Sequence, residues 1–266
     1  MEKIKVGVMG ACGKVGKEIC RAVWNDDTLE LSAAYDVKNQ GLDIGSVVGF
    51  GETGVLIETN LSRLLAEAQV DVMIDFTNAQ ALLNNLPQVI KRGIHVVVGT
   101  TGLTREEIES LGRQAEEAKV GMFITANFAI GAVLMMKFAE QAAKYMPNVE
   151  IIELHHDHKL DAPSGTAVTT LERIAKVRQA FAQGAENEYE KIAGSRGGEY
   201  EGMHVHSVRL PGYVAHQEVI FGGLGQTLTI RHDSISRESF MPGILLAVKK
   251  VSGWSGLVEG LEAIMD

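Results

Sequence analysis

At 266 residues the chain has room for one or two domains with a sizeable core. Its 45% hydrophobic and 22% charged residues exclude a disordered or fibrous protein. With 34 Asp and Glu against 25 Lys and Arg, the formal net charge is −9, and no basic cluster offers the face that nucleic-acid phosphates require.

The first half alternates short apolar runs with helical periodicity. Ile4–Met9 reads as a strand buried on both faces, and Val15, Ile19, Ala22 and Val23 then recur at helical spacing. Leu29–Tyr35, Val70–Ile74, Ile94–Val98 and Val120–Thr125 read as further strands. Asn78–Arg92 reads as a helix that Pro87 should kink or divide. Thr104 with Glu107 forms a capping box that opens a helix ending near Lys119. Strict alternation implies crossovers and a parallel sheet with helices on both faces, an α/β fold.

The second half changes character. A helical stretch over 130–145 leads to a strand, Val149–His156, and then to a helix from about Ser164 to Ala182. The segment 183–202, rich in Gly, Glu and Asn, reads as a mobile loop. His204–Leu210, Val214–Phe221 and Gln226–Arg231 alternate apolar and polar residues between Pro211-Gly212 and Gly222-Gly223. Three such runs in succession predict an open, mostly antiparallel sheet with one covered face, hence an α+β domain. Phe240–Val251 returns to helical periodicity, as if the chain crossed back. No apolar run approaches the roughly 18 residues of a membrane span. Cys12 and Cys20 suit free thiols in a reducing compartment, and MEKIKVGVMG lacks a leader pattern, so a cytoplasmic protein is expected.

Gly10, Gly13 and Gly16 follow the first strand and open the first helix. Glycine there permits a tight turn, lets backbone amides approach a pyrophosphate and lets helix pack close on sheet. Alone, the trio equally describes a flexible strand-to-helix turn. Asp36, 20 residues beyond Gly16 at the end of the second strand, is placed to accept from a ribose hydroxyl. That conjunction points to a dinucleotide. Lys14 and Lys38 either meet a 2′-phosphate or are solvated surface side chains, so NADH and NADPH both remain open. Gly99-Thr100-Thr101-Gly102 and Thr125-Ala126-Asn127-Phe128 follow the fourth and fifth strands, at the edge where open α/β sheets bind ligands. They read as lining a nicotinamide or as ordinary turns.

Three histidines, one lysine and two aspartates fall within seven positions, His155 to Asp161. A metal site is disfavoured, because adjacent strand residues point to opposite faces and only alternate ones could share an ion. A solvated polar strand end is a second reading. The favoured one is an acid–base and anion-binding centre: histidine titrates near neutrality, lysine holds a carboxylate or donates a proton, and Gly165-Thr166 opens a helix.

GACGKVG paired with ELHHDHKLDAPSGTA resembles the dihydrodipicolinate reductase (4-hydroxy-tetrahydrodipicolinate reductase) family of bacterial lysine and diaminopimelate synthesis. DFT at 75–77, VVGTTG at 97–102, ANFAIGA at 126–132, and VAHQEVIFG, LTIRHDS and SFMPG further on extend the resemblance over nearly the whole chain. It implies an NAD(P)H-dependent oxidoreductase. Residues 1–128, completed by 238–266, would form a Rossmann-type cofactor domain, and 129–237 a substrate and tetramerisation domain with an open mixed sheet. NADH or NADPH would rest on Gly10, Ala11, Cys12, Gly13, Lys14, Val15, Asp36, Gly99, Thr100, Thr101, Thr125, Ala126, Asn127 and Phe128. His155 would be the proton donor/acceptor and Lys159 the second proton donor, with His156, Gly165 and Thr166 on a small dicarboxylate substrate. Many members carry Arg-Met where this chain has Lys14-Val15, and lysine lacks arginine's two-pronged geometry, so cofactor preference does not carry over. The implied assembly is a homotetramer, without metal. The alternatives are a non-catalytic dinucleotide sensor and a two-domain oxidoreductase for another carbonyl or imine.

Overall fold

The computed structural model describes residues 2–185 and 187–265. In chain order its elements are β1 (Ile4–Met9), α1 (Lys14–Trp24), β2 (Leu29–Tyr35), α2 (Ile44–Val48), β3 (Ile57–Glu58) and α3 (Leu61–Glu67). Then come β4 (Val72–Asp75), α4 (Ala79–Lys91), β5 (His95–Val98), α5 (Arg105–Glu117), β6 (Gly121–Ile124) and α6 (Ile130–Ala143). These are followed by β7 (Asn148–His155), α7 (Gly165–Ala175), β8 (Gly198–Tyr200), β9 (Met203–Arg209), β10 (Ala215–Gly223) and β11 (Gln226–Ser234). The chain closes with α8 (Met241–Lys250) and β12 (Gly256–Glu259). It divides into two units, Met1–Ala129 with Arg237–Asp266, and Ile130–Ser236. Among the described residues no helix is long and apolar enough to cross a membrane.

The first unit is built on a seven-stranded sheet in the order β12-β6-β5-β4-β1-β2-β3. Every pairing in it is parallel. The strands are short and apolar because both faces are covered: β4 and β6 have no exposed residue. On one face Leu82, Leu86, Val89 and Ile90 of α4 and Leu111 and Ala115 of α5 pack against Met73, Val96, Val98 and Met122. Each such leucine contributes about 1.5–3 kcal/mol when fully buried. The α5 capping box forms as expected, with Thr104 Oγ accepting from the Glu107 N–H at 3.2 Å and the Glu107 carboxylate accepting from the Thr104 N–H at 2.7 Å. Pro87 does not divide α4; the buried face of this helix outweighs one lost backbone bond. β12 joins β6 and completes the sheet from the far end of the chain.

The second unit carries a five-stranded mixed sheet in the order β11-β10-β7-β9-β8. As the alternating runs predict, most of its pairings are antiparallel: β10 pairs with β11 and with β7, and β8 with β9, while β7 and β9 run parallel. α6 and α7 lie on one face of this sheet: Gly131 packs against His232, and Gln217 Nε2 donates to Thr170 Oγ1 at 2.8 Å. α7 stops at Ala175 rather than near Ala182. The buried Arg178 guanidinium donates to the carbonyls of Phe181 at 2.8 Å and Glu201 at 3.1 Å, folding the chain back. Within the segment expected to be a mobile loop, residues 198–200 form β8, and Glu186 lies outside the described residues.

Candidate active site

In the first unit β1 lies between β4 and β2, so the chain's crossovers leave it in opposite directions. Ligands of open α/β sheets bind in the crevice beyond the carboxyl ends of such strands. A cleft of about 560 Å³ opens there, lined by Gly13, Lys14 and Val15 after β1, Phe76, Thr77 and Asn78 after β4, and Gly99, Thr100 and Thr101 after β5. Arg237 also lines it, a cation that no local sequence pattern singles out. A second cleft, of about 320 Å³, is lined by Thr100, Thr101, Gly102, Thr125, Ala126, Glu259 and Gly260 among others.

The turn after β1 needs its glycines. Gly10 has φ of +80°, and a Cβ there would come within 2.5 Å of the Phe76 carbonyl oxygen. A Cβ on Gly16 would run into the carbonyl of Gly10. Gly10 and Ala11 donate their N–H groups to the Tyr35 carbonyl at 2.9 and 3.2 Å. α1 is preceded at its N-cap by Gly13, with no side-chain cap and no acidic residue in its first turn, so its leading amides keep their affinity for an anion. Backbone exposed by glycine, an uncapped helix start and the exposed Lys14 fit a pyrophosphate-bearing dinucleotide.

Asp36 is buried and already engaged: its Oδ2 accepts the Cys12 N–H at 2.8 Å and its Oδ1 the Lys38 N–H at 3.1 Å. The Lys38 side chain is exposed. Cys12 is half-buried, and burial raises its thiol pKa despite the Asn39 amide at 3.4 Å from Sγ. Asp75, fully buried at the end of β4, accepts from the hydroxyls of Thr100 at 2.5 Å and Thr77 at 3.0 Å. Burial raises its pKa, and these hydrogen bonds oppose the rise. In the turn after β6 the Asn127 N–H donates to Thr125 Oγ1 at 3.2 Å and the Ala129 N–H to Asn127 Oδ1 at 2.9 Å, while Phe128 packs its ring on Phe76 at 5.6 Å. Ala126 is exposed beside them.

In the second unit the histidine segment leaves the end of β7. Residues 149, 151 and 153 share the buried face, which puts the Glu153 carboxylate fully inside. His155 Nδ1 lies 2.5 Å from Glu153 Oε2. Arg209 grips the same carboxylate with two prongs, at 2.8 and 2.7 Å. The Ser164 N–H reaches Glu153 Oε1 at 3.2 Å, and Ser164 Oγ caps α7 by accepting from the Ala167 N–H. Burial raises the Glu153 pKa, but hydrogen bonds from His155 and Arg209 outweigh it and hold the carboxyl at about 2. Lys159 Nζ donates to Asp161 Oδ1 at 2.6 Å. His156 and Gly165 are exposed, Thr166 is half-buried, and the His156 and His158 rings lie 6.3 Å apart, tilted by 47°. Among the described residues no three His, Cys, Asp or Glu side chains are grouped as metal ligands would be. Sequence reasoning quoted Glu153 without a role and passed over Arg209. The inward parity of residue 153 was the available signal, since a carboxylate on a buried face demands a cation.

The seven-stranded parallel sheet and its glycine turn define a Rossmann-type, dinucleotide-binding protein. Residues 4–128 match the family model described as Dihydrodipicolinate reductase, N-terminus, and residues 131–265 the one described as Dihydrodipicolinate reductase, C-terminus. The chain belongs to the dihydrodipicolinate reductase family. It is 54% identical over 267 residues to a protein of Desulfitobacterium hafniense named 4-hydroxy-tetrahydrodipicolinate reductase, covering 100% of both chains. A protein of that name from Listeria welshimeri is 52% identical over 263 residues, 99% of this chain and 100% of the relative. The dipicolinate-bound dihydrodipicolinate reductase from Paenisporosarcina sp. TG-14 matches with a TM-score of 0.88 at 44% identity, covering 99% of this chain and 100% of that one. A scyllo-inositol dehydrogenase from Lactobacillus casei, at 13% identity and a TM-score of 0.60 over 99% of this chain and 92% of its own, shares the fold alone.

Proposed function

We propose that the chain reduces 4-hydroxy-tetrahydrodipicolinate, through its dehydrated cyclic imine, to tetrahydrodipicolinate at the expense of NAD(P)H. The observation that carries this reading is the buried carboxylate of Glu153, which joins His155 to the start of α7. An acid–base side chain and an anion-binding helix terminus are thereby gathered in one place. The solved Paenisporosarcina relative holds dipicolinate, which supports a planar dicarboxylate as the ligand here.

In this reading the first unit binds NAD(P)H on the turn from Gly10 to Val15 and along Asp36, Lys38, Gly99 to Thr101 and Thr125 to Phe128. The second unit holds the substrate, with His156, Gly165 and Thr166 on its carboxylates. When bound, the cofactor supplies one hydride. Hydride addition leaves negative charge on the ring away from the attacked carbon, and one proton must quench it. Lys159 delivers that proton, its ammonium held by Asp161, while His155 serves as proton donor and acceptor. His155, His156 and Lys159 together offer N–H donors that suit a doubly negative substrate and give a neutral sugar no counterpart.

We further infer a homotetramer in the cytoplasm. Ile152, Leu154, Val208 and Ile220 lie among Glu150, His206 and Glu218 on the face opposite α6 and α7. An open sheet face of mixed apolar and charged residues suits association between copies. Cys12 and Cys20 are free thiols, as a reducing compartment requires.

The test is loss of nicotinamide absorbance with substrate made fresh from pyruvate and aspartate semialdehyde by the preceding synthase, with NADH and NADPH run side by side. Rapid oxidation with either supports the reading. No oxidation with either, despite measurable cofactor binding, overturns it in favour of a sensor or another substrate.

A further inference from the structure

The inward-facing positions of β7 are Val149, Ile151 and Glu153, two aliphatic side chains followed by a carboxylate with no exposed surface. Burying an ion is costly unless it is paired and its lone pairs are filled, and an aliphatic side chain would serve packing better. The lone pairs are filled. His155 Nδ1 and Arg209 Nη1 reach Oε2, at 2.5 and 2.8 Å, while Arg209 Nη2 and the Ser164 N–H reach Oε1, at 2.7 and 3.2 Å. Arg209 sits opposite His155 in the β7–β9 register, which is what brings its guanidinium to this point.

We propose that Glu153 and Arg209 act as a positioning pair that fixes the ring of His155 and the loop carrying Lys159. The inference rests on the proton-transfer role given to His155 and Lys159 above. An ionised carboxylate can only accept, so His155 must donate from Nδ1–H, and Nε2 is left as the working nitrogen. The same hydrogen bond persists whether Nε2 is protonated or bare, so the ring holds its direction through a proton cycle. Arg209 extends the arrangement: its Nη2 also donates to the Asp161 carbonyl at 2.8 Å, and the Asp161 carboxylate holds Lys159 Nζ at 2.6 Å. With the Ser164 amide on Glu153, one buried ion pair sets His155, the Lys159 loop and the first turn of α7 together. The charged group in contact with the His155 ring is Glu153 on its own strand; Arg209 on β9 holds the same carboxylate, and Asp161 and Lys159 on the following loop are joined to it through Arg209.

The experiment compares the full-length wild type with Glu153→Gln and with the double variant Glu153→Gln/Arg209→Met, which leaves no unpaired charge behind. Steady-state kcat and KM, the pH–rate profile, NADH binding by fluorescence and thermal melting are measured for each. Glu153→Gln is expected to lower kcat about 100-fold, the scale of a general acid or base, with NADH affinity within twofold of wild type. The pH–rate profile of Glu153→Gln should differ from that of wild type, because the ring of His155 loses the carboxylate that holds it. The double variant should melt as a folded protein and bind NADH, yet remain slow. A downfield imidazole N–H proton resonance, absent from His155→Gln, should also vanish from Glu153→Gln. Wild-type kcat and pH profile in a folded Glu153→Gln or double variant would overturn the positioning role, as would wild-type protein lacking that resonance. If wild type itself fails to oxidise NAD(P)H while showing the resonance, the functional reading falls instead, a distinguishable result.

Discussion

The carboxylate of Asp36, at the end of β2, accepts the backbone N–H of Cys12 in the glycine turn at 2.8 Å. The acidic residue that sequence reasoning assigned to a ribose hydroxyl is therefore also a tie holding the phosphate-binding turn against the second strand. Each of its oxygens accepts one backbone N–H and keeps a further lone pair for a ligand.

This double use predicts that Asp36→Ala weakens NADH and NADPH alike. A hydrogen bond to a charged group contributes about 1.5–3 kcal/mol, so a rise in Kd of at least about tenfold is expected for both nucleotides. Titration by nicotinamide fluorescence measures it. A loss confined to one nucleotide would place the role of Asp36 at the ribose alone.

Lys159 tests the proton-transfer assignment from the other unit. Replacing it with Ala should lower kcat by at least about 100-fold, as expected for removal of a general acid. NADH affinity should stay within about twofold, because the glycine turn is untouched. Unchanged turnover would remove Lys159 from the chemistry.

Some of this architecture is legible in the residues and some is not. β1 and β2 can be read to the residue, since each is a run of apolar or alternating side chains closed by turn residues. β3, two residues long, and β12, whose partner β6 lies far away in the sequence, carry no periodicity of their own. The histidine segment is legible because its density of titratable groups resists explanation by packing. Arg209 is not, because its importance comes from the register of β9 on β7, a long-range pairing that no local pattern encodes. Arg237 reaches the cleft beside Lys14 for the same reason.

The two thiols should react very differently. Burial pushes the Cys20 thiol up to about 12, and Cys20 has no exposed surface. Cys12 is half-buried in the glycine turn. A thiol-disulfide reagent at pH 8 should therefore titrate one slow thiol in the native protein and two in denaturant. Saturating NADH should slow the native reaction further, measured as the rate of chromophore release. Equal native reactivity of the two cysteines, or no protection by NADH, would contradict the placement of Cys12 at the cofactor turn.

Acid sensitivity should arise partly from Asp26. Its carboxylate accepts from Lys249 Nζ at 2.6 Å and from the Thr28 N–H at 2.9 Å, tying α8 to the loop after α1. Burial alone would raise its pKa, but the hydrogen bonds from Lys249 and Thr28 bring it down from 3.8 to about 2. A depressed folded-state pKa means the stabilisation is fully present above about pH 4 and is lost as pH falls through 4 toward 2. Lys249 is partly exposed and solvent screens the pair, so the contribution is on the order of 1 kcal/mol. Glu153, held at about 2 against an ordinary 4.5, loses its contribution over the same range. Asp26→Asn should thus melt about 2–4 °C below wild type at pH 7, the shift that 1 kcal/mol produces in a chain of this size. The gap should hold down to about pH 4 and narrow from there to pH 3, because protonation then does to Asp26 what the substitution has already done. Melting curves at half-unit pH steps measure the gap, and one that stays constant down to pH 3 would show that the Asp26–Lys249 pair does not contribute through its charge.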